Sequence, residues 1–422
     1  MNRAFLCIVV QFFRRLEDMK RIVLLLCACL AAVSAMAEQA DSTKVKNESH
    51  SLNLYGFARA EMYVNSRENY EAKGGIISLY PKPIEQDDYG FDKNAKVNAG
   101  FLAITSRVGL KYTYKMDELS LGAHIEGDFC GTSTYIDIFR LRHAYAFVNY
   151  KNHSVLAGQS WHPYYDGVFP NVLTLNGGTP SGILNRSPQV RYEYSFSPEL
   201  KLTTAFVTEG VKGIKPEALI GLSGSKDGWK YGVMGEYRYL NIEHTFVSDK
   251  GTTVRPLPLH SFSGTAYTEY RKDKWMFNAR VMGGQNLSHL IVLGGYGLVS
   301  EDIENLTAKY TNLNQLATYA CASYGSKWKV NLFAGYLKNF GTSENCTVLY
   351  GTGVNVADVI KTAASVEFNY KGLNVALECE YSNAAYAKYL ETKLVEDYRV
   401  GNIRGVLRVS YNFSHTWNFA KK

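Results

Sequence analysis

The sequence lacks the features of a helical membrane protein. Beyond residue 37, no apolar run reaches the roughly 18–20 residues that a membrane-spanning helix needs. Proline is scarce, with 10 residues in 422, whereas tyrosine and phenylalanine are abundant, with 31 and 20 residues. Aromatic side chains favour strands and proline interrupts them. This composition therefore predicts many β-strands joined by tight turns.

Catalytic and metal-binding motifs are also missing. The sequence contains no Gly-x-Ser-x-Gly elbow, phosphate-binding loop or His-Glu-x-x-His. Its nine histidines are dispersed. The cysteines beyond the leader have neither metal-ligand spacing nor a dense disulfide framework, although one bridge stays open among them: Cys130, Cys321, Cys346 and Cys379. We therefore predict no enzyme activity, no cofactor and no metal site.

The amino terminus has the pattern of a secretory signal peptide. Met19 to Arg21 form a short basic start, Ile22 to Val33 are apolar, and Ala35 to Ala37 provide a small-residue cleavage site. Residues 1–18 do not fit in front of this pattern, and we interpret them as a start codon assigned too early. Residues 38–50 are polar and predict a disordered linker.

Charge gives little support to nucleic-acid binding. The leader carries five basic and two acidic residues, so its removal lowers the formal net charge from +7 to +4. That excess is too small to predict a nucleic-acid partner. Cys27 and Cys29 leave a lipoprotein signal open as an alternative to the secretory signal, and both alternatives predict export.

Residues 51–413 alternate between apolar and polar residues in short segments, as half-buried strands do. We count 16 such strands, and their connections alternate between turns of two to four residues and longer, variable loops. Aromatic residues gather beside the short turns, as in an interfacial girdle. The pattern predicts an all-β, transmembrane antiparallel β-barrel of about 16 strands, with short periplasmic turns, long outer loops and a C-terminal tail at residues 414–422.

One hairpin carries an unusual pair of charges. Residues 139–162 read FRLRHAYAFVNYKNHSVLAGQSWH, two strands around a turn at residues 151–153. Strict alternation places Arg140 and Arg142 on one face with Ala144 and Ala146. The opposite face is apolar and consists of Phe139, Leu141, Tyr145 and Phe147. Two arginines on one face suit a wet lumen, with the apolar face toward lipid.

Three segments of this region resemble the DcaP-like outer-membrane porins: RLRHAY (140–145), LAGQSW (156–161) and NRSPQVRY (185–192). The resemblance implies a homotrimeric 16-stranded diffusion channel that tolerates anions. It also implies that the loop after the fifth strand, residues 163–187, folds into the pore as a constriction loop. The segment VLRVSYNF (406–413) resembles the C-terminal assembly signal of outer-membrane proteins, although the chain continues beyond it.

The alternation predicts which basic side chains line the pore. We expect an inward-facing basic arc that favours anion entry, formed by Arg59, Arg107, Lys111, Arg140, Arg142, Arg191, Arg404 and Arg408. The alternative is that these side chains pair with nearby acids and loop carbonyls. In the constriction loop we expect solute contacts from Tyr164, Tyr165, Asp166, Phe169, Asn171 and Arg186. An exterior position for this loop stays open.

These observations predict a porin in the outer membrane of a Gram-negative bacterium. It would provide passive diffusion of small hydrophilic, preferably anionic, solutes, with outer-membrane lipid and two further copies of the chain as partners. The alternatives are a barrel that serves as a surface adhesin or structural protein, and a saccharide-preferring channel in which Tyr164 and Tyr165 contact the sugar.

Overall fold

A computed structural model describes residues 48–72, 75–131, 135, 137–173, 178–208, 217–240, 242, 246–247, 253–302 and 304–420. The predicted signal peptide and most of the predicted linker lie outside these residues. Within them, no helix is long and apolar enough to cross a membrane.

Sixteen strands form a closed antiparallel barrel, as predicted. They are Glu48–Asn65 (β1), Arg107–Met116 (β2), Leu119–Asp128 (β3), Arg140–Tyr150 (β4), His153–Trp161 (β5), Arg186–Ser197 (β6), Leu200–Val207 (β7), Glu217–Lys226 (β8), Trp229–Leu240 (β9), Leu259–Lys272 (β10), Trp275–Gln285 (β11), Thr307–Gly325 (β12), Trp328–Thr342 (β13), Val356–Tyr370 (β14), Leu373–Leu390 (β15) and Lys393–Ala420 (β16). Each pairs with its neighbour in sequence. The barrel closes where β1 pairs with β16, from Ser49 opposite Ala420 to Asn65 opposite Arg404.

The strands extend beyond the predicted limits. β1 begins at Glu48, inside the predicted linker, and β16 continues to Ala420, through most of the predicted tail. The two extensions pair with each other, so each satisfies the backbone hydrogen bonds of the other. Residues 383–401 likewise form the outer part of the β15–β16 hairpin, which turns at residues 391–392.

The long connections carry short strands of their own. These are Asn69–Ala72, Ile77–Pro81, Asn98–Leu102, Phe246–Val247, Thr253–Pro256, Gly294–Asp302 and Val348–Thr352. Asn98–Leu102 and β2 both pair with β1, and the pairing is interrupted between residues 102 and 107. Two 3₁₀ turns, Pro163–Tyr165 and Leu287–Leu290, begin the loops after β5 and β11.

The outward face of the barrel is apolar. Large side chains on it are more than half exposed, among them Ile125, Ile220, Val233, Phe262, Leu332 and Leu377. Next to the short turns, three tryptophans pack on an aromatic ring of the adjacent strand, with ring centroids 4.5–4.9 Å apart: Trp229, Trp275 and Trp328. This is the lipid-facing belt and aromatic girdle of a transmembrane barrel.

A β-bulge in β4 reverses part of the predicted face assignment. The register shifts so that Glu126 lies opposite His143 while Gly127 lies opposite Leu141. The extra residue turns every later side chain of β4 to the other face. Tyr145 and Phe147 therefore point inward, where the Tyr145 ring lies 5.1 Å from that of His124. Their predicted place on the lipid face with Phe139 and Leu141 is wrong, and Ala144 and Ala146 face outward instead.

The main buried apolar cluster lies between the loops and the inner wall. It includes Tyr164 and Tyr165 of the β5–β6 loop, Leu287 and Leu290 of the β11–β12 loop, and Leu337 of β13. Apolar burial is the main favourable contribution to packing of this kind. The interior side of the barrel therefore holds loop residues in place as well as facing water.

Candidate functional site: the inner wall and the loop after β5

The first turn of the loop after β5 is bound by an arginine of β11. The guanidinium of Arg280 donates hydrogen bonds to the carbonyl oxygens of Tyr164, of Tyr165 at 3.1 Å and of Val168 at 3.3 Å. The hydroxyl of Tyr164 lies 2.9 Å from that of Ser263 on β10. Both tyrosines are buried, with 0% and 3% exposure. The expectation that Tyr164 and Tyr165 contact a solute is therefore wrong; their rings pack the loop against the wall.

Asp166 makes the next contact between loop and wall. Its carboxylate accepts a hydrogen bond from Lys201 at 3.2 Å and another from the hydroxyl of Tyr267, and Lys230 donates to its carbonyl oxygen. Burial acts to raise the pKa of Asp166, but the charges of Lys201 and Lys230 and the Tyr267 hydrogen bond outweigh it and lower the pKa. Asp166 is thus an ionised anchor of the loop.

Contacts continue along the loop to residue 173. Asn278 of β11 donates to the carbonyl of Phe169 at 2.7 Å, and Asn171 donates to Ser323 of β12 at 2.6 Å. The Leu173 amide donates to Glu378 of β15 at 2.8 Å, and its carbonyl accepts from Arg408 of β16 at 2.6 Å. Residues 163–173 thus contact side chains on β5, β7, β9 to β13, β15 and β16. Phe169 is 37% exposed, so among the three aromatic residues predicted to contact solute in this loop it is the one whose side chain remains accessible.

Arg140 and Arg142 are paired with acids of β3. Arg140 binds Asp128 through two hydrogen bonds of 3.0 and 2.8 Å. Arg142 donates to Glu126 at 2.6 Å and to Asp128 at 2.8 Å, and its side chain is only 1% exposed. A bidentate arginine–carboxylate pair fixes both groups in position. The prediction that Arg142 is available to solute is wrong, because the bulge and β3 enclose it.

Two further predicted pore residues also hold loops. Arg404 is buried and donates to Glu71 at 3.2 Å and to the carbonyl of Gly75 at 2.6 Å, so it fixes the β1–β2 loop. Arg408 binds Glu367 at 3.1 Å as well as the Leu173 carbonyl. For these two side chains the structure favours the alternative of pairing with acids and loop carbonyls over contact with solute.

The remaining basic side chains have weaker partners. Arg59 lies 3.9 Å from Glu61, and Arg107 lies 3.6 Å from Glu126, without a hydrogen bond in either pair. Both guanidinium groups cover the ring of Phe57, at 4.1 and 4.9 Å from its centroid.

A second group of cations lies on β2 and β6. Within the described ranges, Arg191, Arg186 and Lys111 have no ion pair; Arg191 binds the carbonyl of Trp161 at 2.6 Å, and Arg186 covers the Trp161 ring at 4.5 Å. Lys111 is exposed and lies 5.3 Å from the centre of the Phe147 ring.

A cavity of about 200 Å³ opens on this part of the wall. Lys111 and Arg191 supply two positive charges, Tyr145 and Phe147 supply rings, and Glu193 supplies the one carboxylate among the lining residues. Glu193 is itself bound by Lys201 at 3.0 Å. The cavity therefore combines cationic and aromatic surface on β2, β4, β5 and β6.

Alternation alone places Arg280 on the same inward face of β11 as Asn278. It does not reveal the hydrogen bonds of Arg280, because its loop partners are distant in the sequence. The contacts of Lys230 and Tyr267 with Asp166 were missed for the same reason. The inward position of Tyr145 and Phe147 has no signal in the sequence, since it depends on the bulge.

The fold is shared with solved outer-membrane channels. The DcaP channel of Acinetobacter baumannii has a TM-score of 0.62 and 17% identity, over 86% of this chain and 97% of that one. The trimer form of OmpT of Vibrio cholerae has a TM-score of 0.54 and 13% identity, over 86% and 99% of the two chains. The anion-selective porin from Comamonas acidovorans has a TM-score of 0.53 and 10% identity, over 86% and 100%.

No protein-family model and no curated protein matches the sequence. The predicted resemblance to DcaP-like porins is confirmed at the level of the fold. The chain is a 16-stranded transmembrane β-barrel with the fold of the outer-membrane porins.

Proposed function

We propose that this protein is an outer-membrane porin through which small hydrophilic solutes, preferably anions, diffuse passively. The observation that carries the proposal is a group of inward basic side chains on β1, β2 and β6. Within the part of the chain that the structure describes, Arg59, Arg107, Lys111 and Arg191 donate no hydrogen bond to a carboxylate.

Charge balance along the wall supports a preference for anions. Arg140 and Arg142 are matched by Asp128 and Glu126 and contribute little net field. The surplus of positive charge comes from Lys111 and Arg191, which have no ion pair among the described residues. Arg59 and Arg107 add to it, since their acidic neighbours lie 3.9 and 3.6 Å away without a hydrogen bond. A low-dielectric wall that carries one sign of charge raises the local concentration of oppositely charged solutes. An arginine can also bind a carboxylate or phosphate at two points.

The loop after β5 is the proposed constriction. Its contacts with Arg280, Lys201 and Arg408 support a position against the inner wall between β7 and β16. A solute would then pass between this loop and the wall formed by β2 to β6, where Lys111 and Arg191 line the cavity. Residues 163–173 are bound to the wall near both of their ends, so this part of the loop can set the width of such a path.

A homotrimer in the outer membrane completes the proposal. The OmpT structure of Vibrio cholerae is described as a trimer form, and the outward belt of this barrel suits a lipid bilayer. The bulge in β4 places Ala144 and Ala146 outward beside β3, and Ala58 on β1 is also outward and exposed. Small outward side chains allow close approach of a second barrel.

Conductance in planar lipid bilayers tests this function. Addition of the purified protein should produce stepwise increases in ion current, with an anion preference in a salt gradient. A folded barrel that inserts but carries no current would contradict the porin function and favour a structural or adhesive role.

A further inference from the structure

Four side chains that no spacing in the sequence connects meet inside the barrel. They are His162 at the start of the loop after β5, Glu217 on β8, Glu236 on β9 and His289 in the loop after β11. One nitrogen or oxygen atom from each lies within 4.8 Å of the others. All four side chains are at least 98% buried.

The separations between these atoms suit a small coordination shell. His162 Nε2 lies 3.2 Å from Glu236 Oε1 and 3.8 Å from Glu217 Oε2, and His289 Nε2 lies 3.1 Å from Glu236 Oε2. A tetrahedral zinc ion with ligand bonds near 2.0–2.1 Å separates its ligand atoms by about 3.3 Å. The three separations lie near that value, and the remaining pairs, which lie within 4.8 Å, would contract toward it around one ion.

Among the residues that the structure describes, Arg238 is the guanidinium that contacts this cluster. Arg238 donates to Glu217 Oε1 at 3.2 Å, and one guanidinium cannot balance two buried carboxylates. Glu217 Oε2 faces the cluster and makes no hydrogen bond among the described residues, although the residue is 2% exposed. A buried carboxylate oxygen without a donor is costly, and a divalent cation at this point would satisfy it.

We propose that His162, Glu217, Glu236 and His289 bind one divalent transition-metal ion, with zinc as the best match to two imidazoles and two carboxylates. The ion would join the start of the β5–β6 loop and the β11–β12 loop to the wall strands β8 and β9. The site is separate from the proposed anion path, so its presence or absence does not depend on the proposed function.

Arg238 gives the proposal a further testable consequence, because its hydrogen bond to His289 competes with metal binding at that histidine. It donates to His289 Nδ1 at 2.7 Å, which leaves the ring proton of a neutral His289 on Nε2. Metal binding at Nε2 moves that proton to Nδ1, so this hydrogen bond must open. Arg238 would keep its contacts with Glu217 and with the carbonyl of Asn286, at 2.9 Å. Removal of Arg238 should therefore strengthen metal binding.

The test uses the full mature barrel, purified in detergent without a polyhistidine tag. The protein is stripped with a chelator, incubated with zinc, separated from free metal by gel filtration and analysed for metal content. The wild type should retain one zinc ion per chain. His162→Gln and Glu217→Gln should each weaken retention by about tenfold or more, whereas Arg238→Gln should retain zinc at lower free concentrations than the wild type does.

His153→Gln is the matched control, because it removes an imidazole from β5 outside the cluster and should leave zinc retention unchanged. Cobalt added in place of zinc should give the visible absorption of a tetrahedral site in the wild type and lose it in His162→Gln. Heat-dependent mobility in gels identifies variants that have folded.

A wild-type protein that retains no zinc and shows no tetrahedral cobalt spectrum would overturn the proposal and leave a hydrogen-bonded network only. Retention equal to the wild type in folded His162→Gln and Glu217→Gln would also overturn it. The wild-type measurement stands on its own even where a variant fails to fold.

Discussion

Arg142 donates a hydrogen bond of 2.8 Å to Asp128 across the β3–β4 pair, and neither side chain reaches solvent. Removal of one partner from a buried pair leaves an uncompensated charge. We expect Arg142→Ala to lower the free energy of unfolding by about 3 kcal/mol, the low end for such a change, because Arg140 still binds Asp128. Urea titration of the protein in lipid vesicles measures this difference, and a loss below about 0.5 kcal/mol would show that the pair contributes no more than an exposed one.

Arg280 should control the position of the loop after β5. Arg280→Leu removes the hydrogen bonds to three loop carbonyls, so we expect a larger single-channel conductance and greater current fluctuation. Arg271→Leu is the matched control, because Arg271 lies on the neighbouring strand, is exposed, and among the described residues its side chain binds Glu269 alone. Equal conductance in the wild type and Arg280→Leu would show that these hydrogen bonds do not determine the channel width.

Asp166 gives the loop a defined pH dependence. Its pKa is lowered below the usual 3.8, so its contribution is present at neutral pH and is lost as the pH falls through the lowered pKa. Asp166→Asn should therefore differ from the wild type in single-channel conductance between pH 7 and pH 5. That difference should persist down to pH 3.8 and disappear only below it, as the pH falls through the lowered pKa. A difference that vanishes already near pH 5 would mean that the carboxylate is not held ionised by its lysine partners.

The bulge in β4 can be tested by labelling. Tyr145→Cys should react with a water-soluble thiol reagent from the lumen, whereas Ala146→Cys should react with a reagent dissolved in the lipid. Arg140→Cys serves as a lumen-facing control before the bulge. The reverse pattern at residues 145 and 146 would restore strict alternation along the strand and remove two aromatic rings from the cavity wall.

Alternation of side chains was sufficient to predict the 16 strands and the inward position of Arg107 and Arg191. It failed at Tyr145 and Phe147, because a bulge is decided by cross-strand pairing that one strand does not encode. It also could not show which inward arginines are neutralised. The partners of Arg142 and Arg404 lie on another strand and in a folded loop, and such contacts exist only after the chain has closed.

The buried cluster at His162 illustrates the same limit. Its members are separated by 19 to 55 positions in the sequence, and each alone is an ordinary polar residue of a strand or loop. Only barrel closure and the entry of two loops bring them together. Long-range constellations of this kind require the strand register and the loop path, neither of which follows from periodicity.

The reversal potential in a salt gradient tests the account most directly. The wild type should prefer anions, and Arg107→Gln with Arg191→Gln should reduce that preference by removing two cations that donate no hydrogen bond to a carboxylate. Arg140→Gln with Asp128→Asn is the control, since it removes one charge of each sign and should leave selectivity unchanged. A double Arg107/Arg191 variant with the reversal potential of the wild type would contradict the claim that these side chains select the solute.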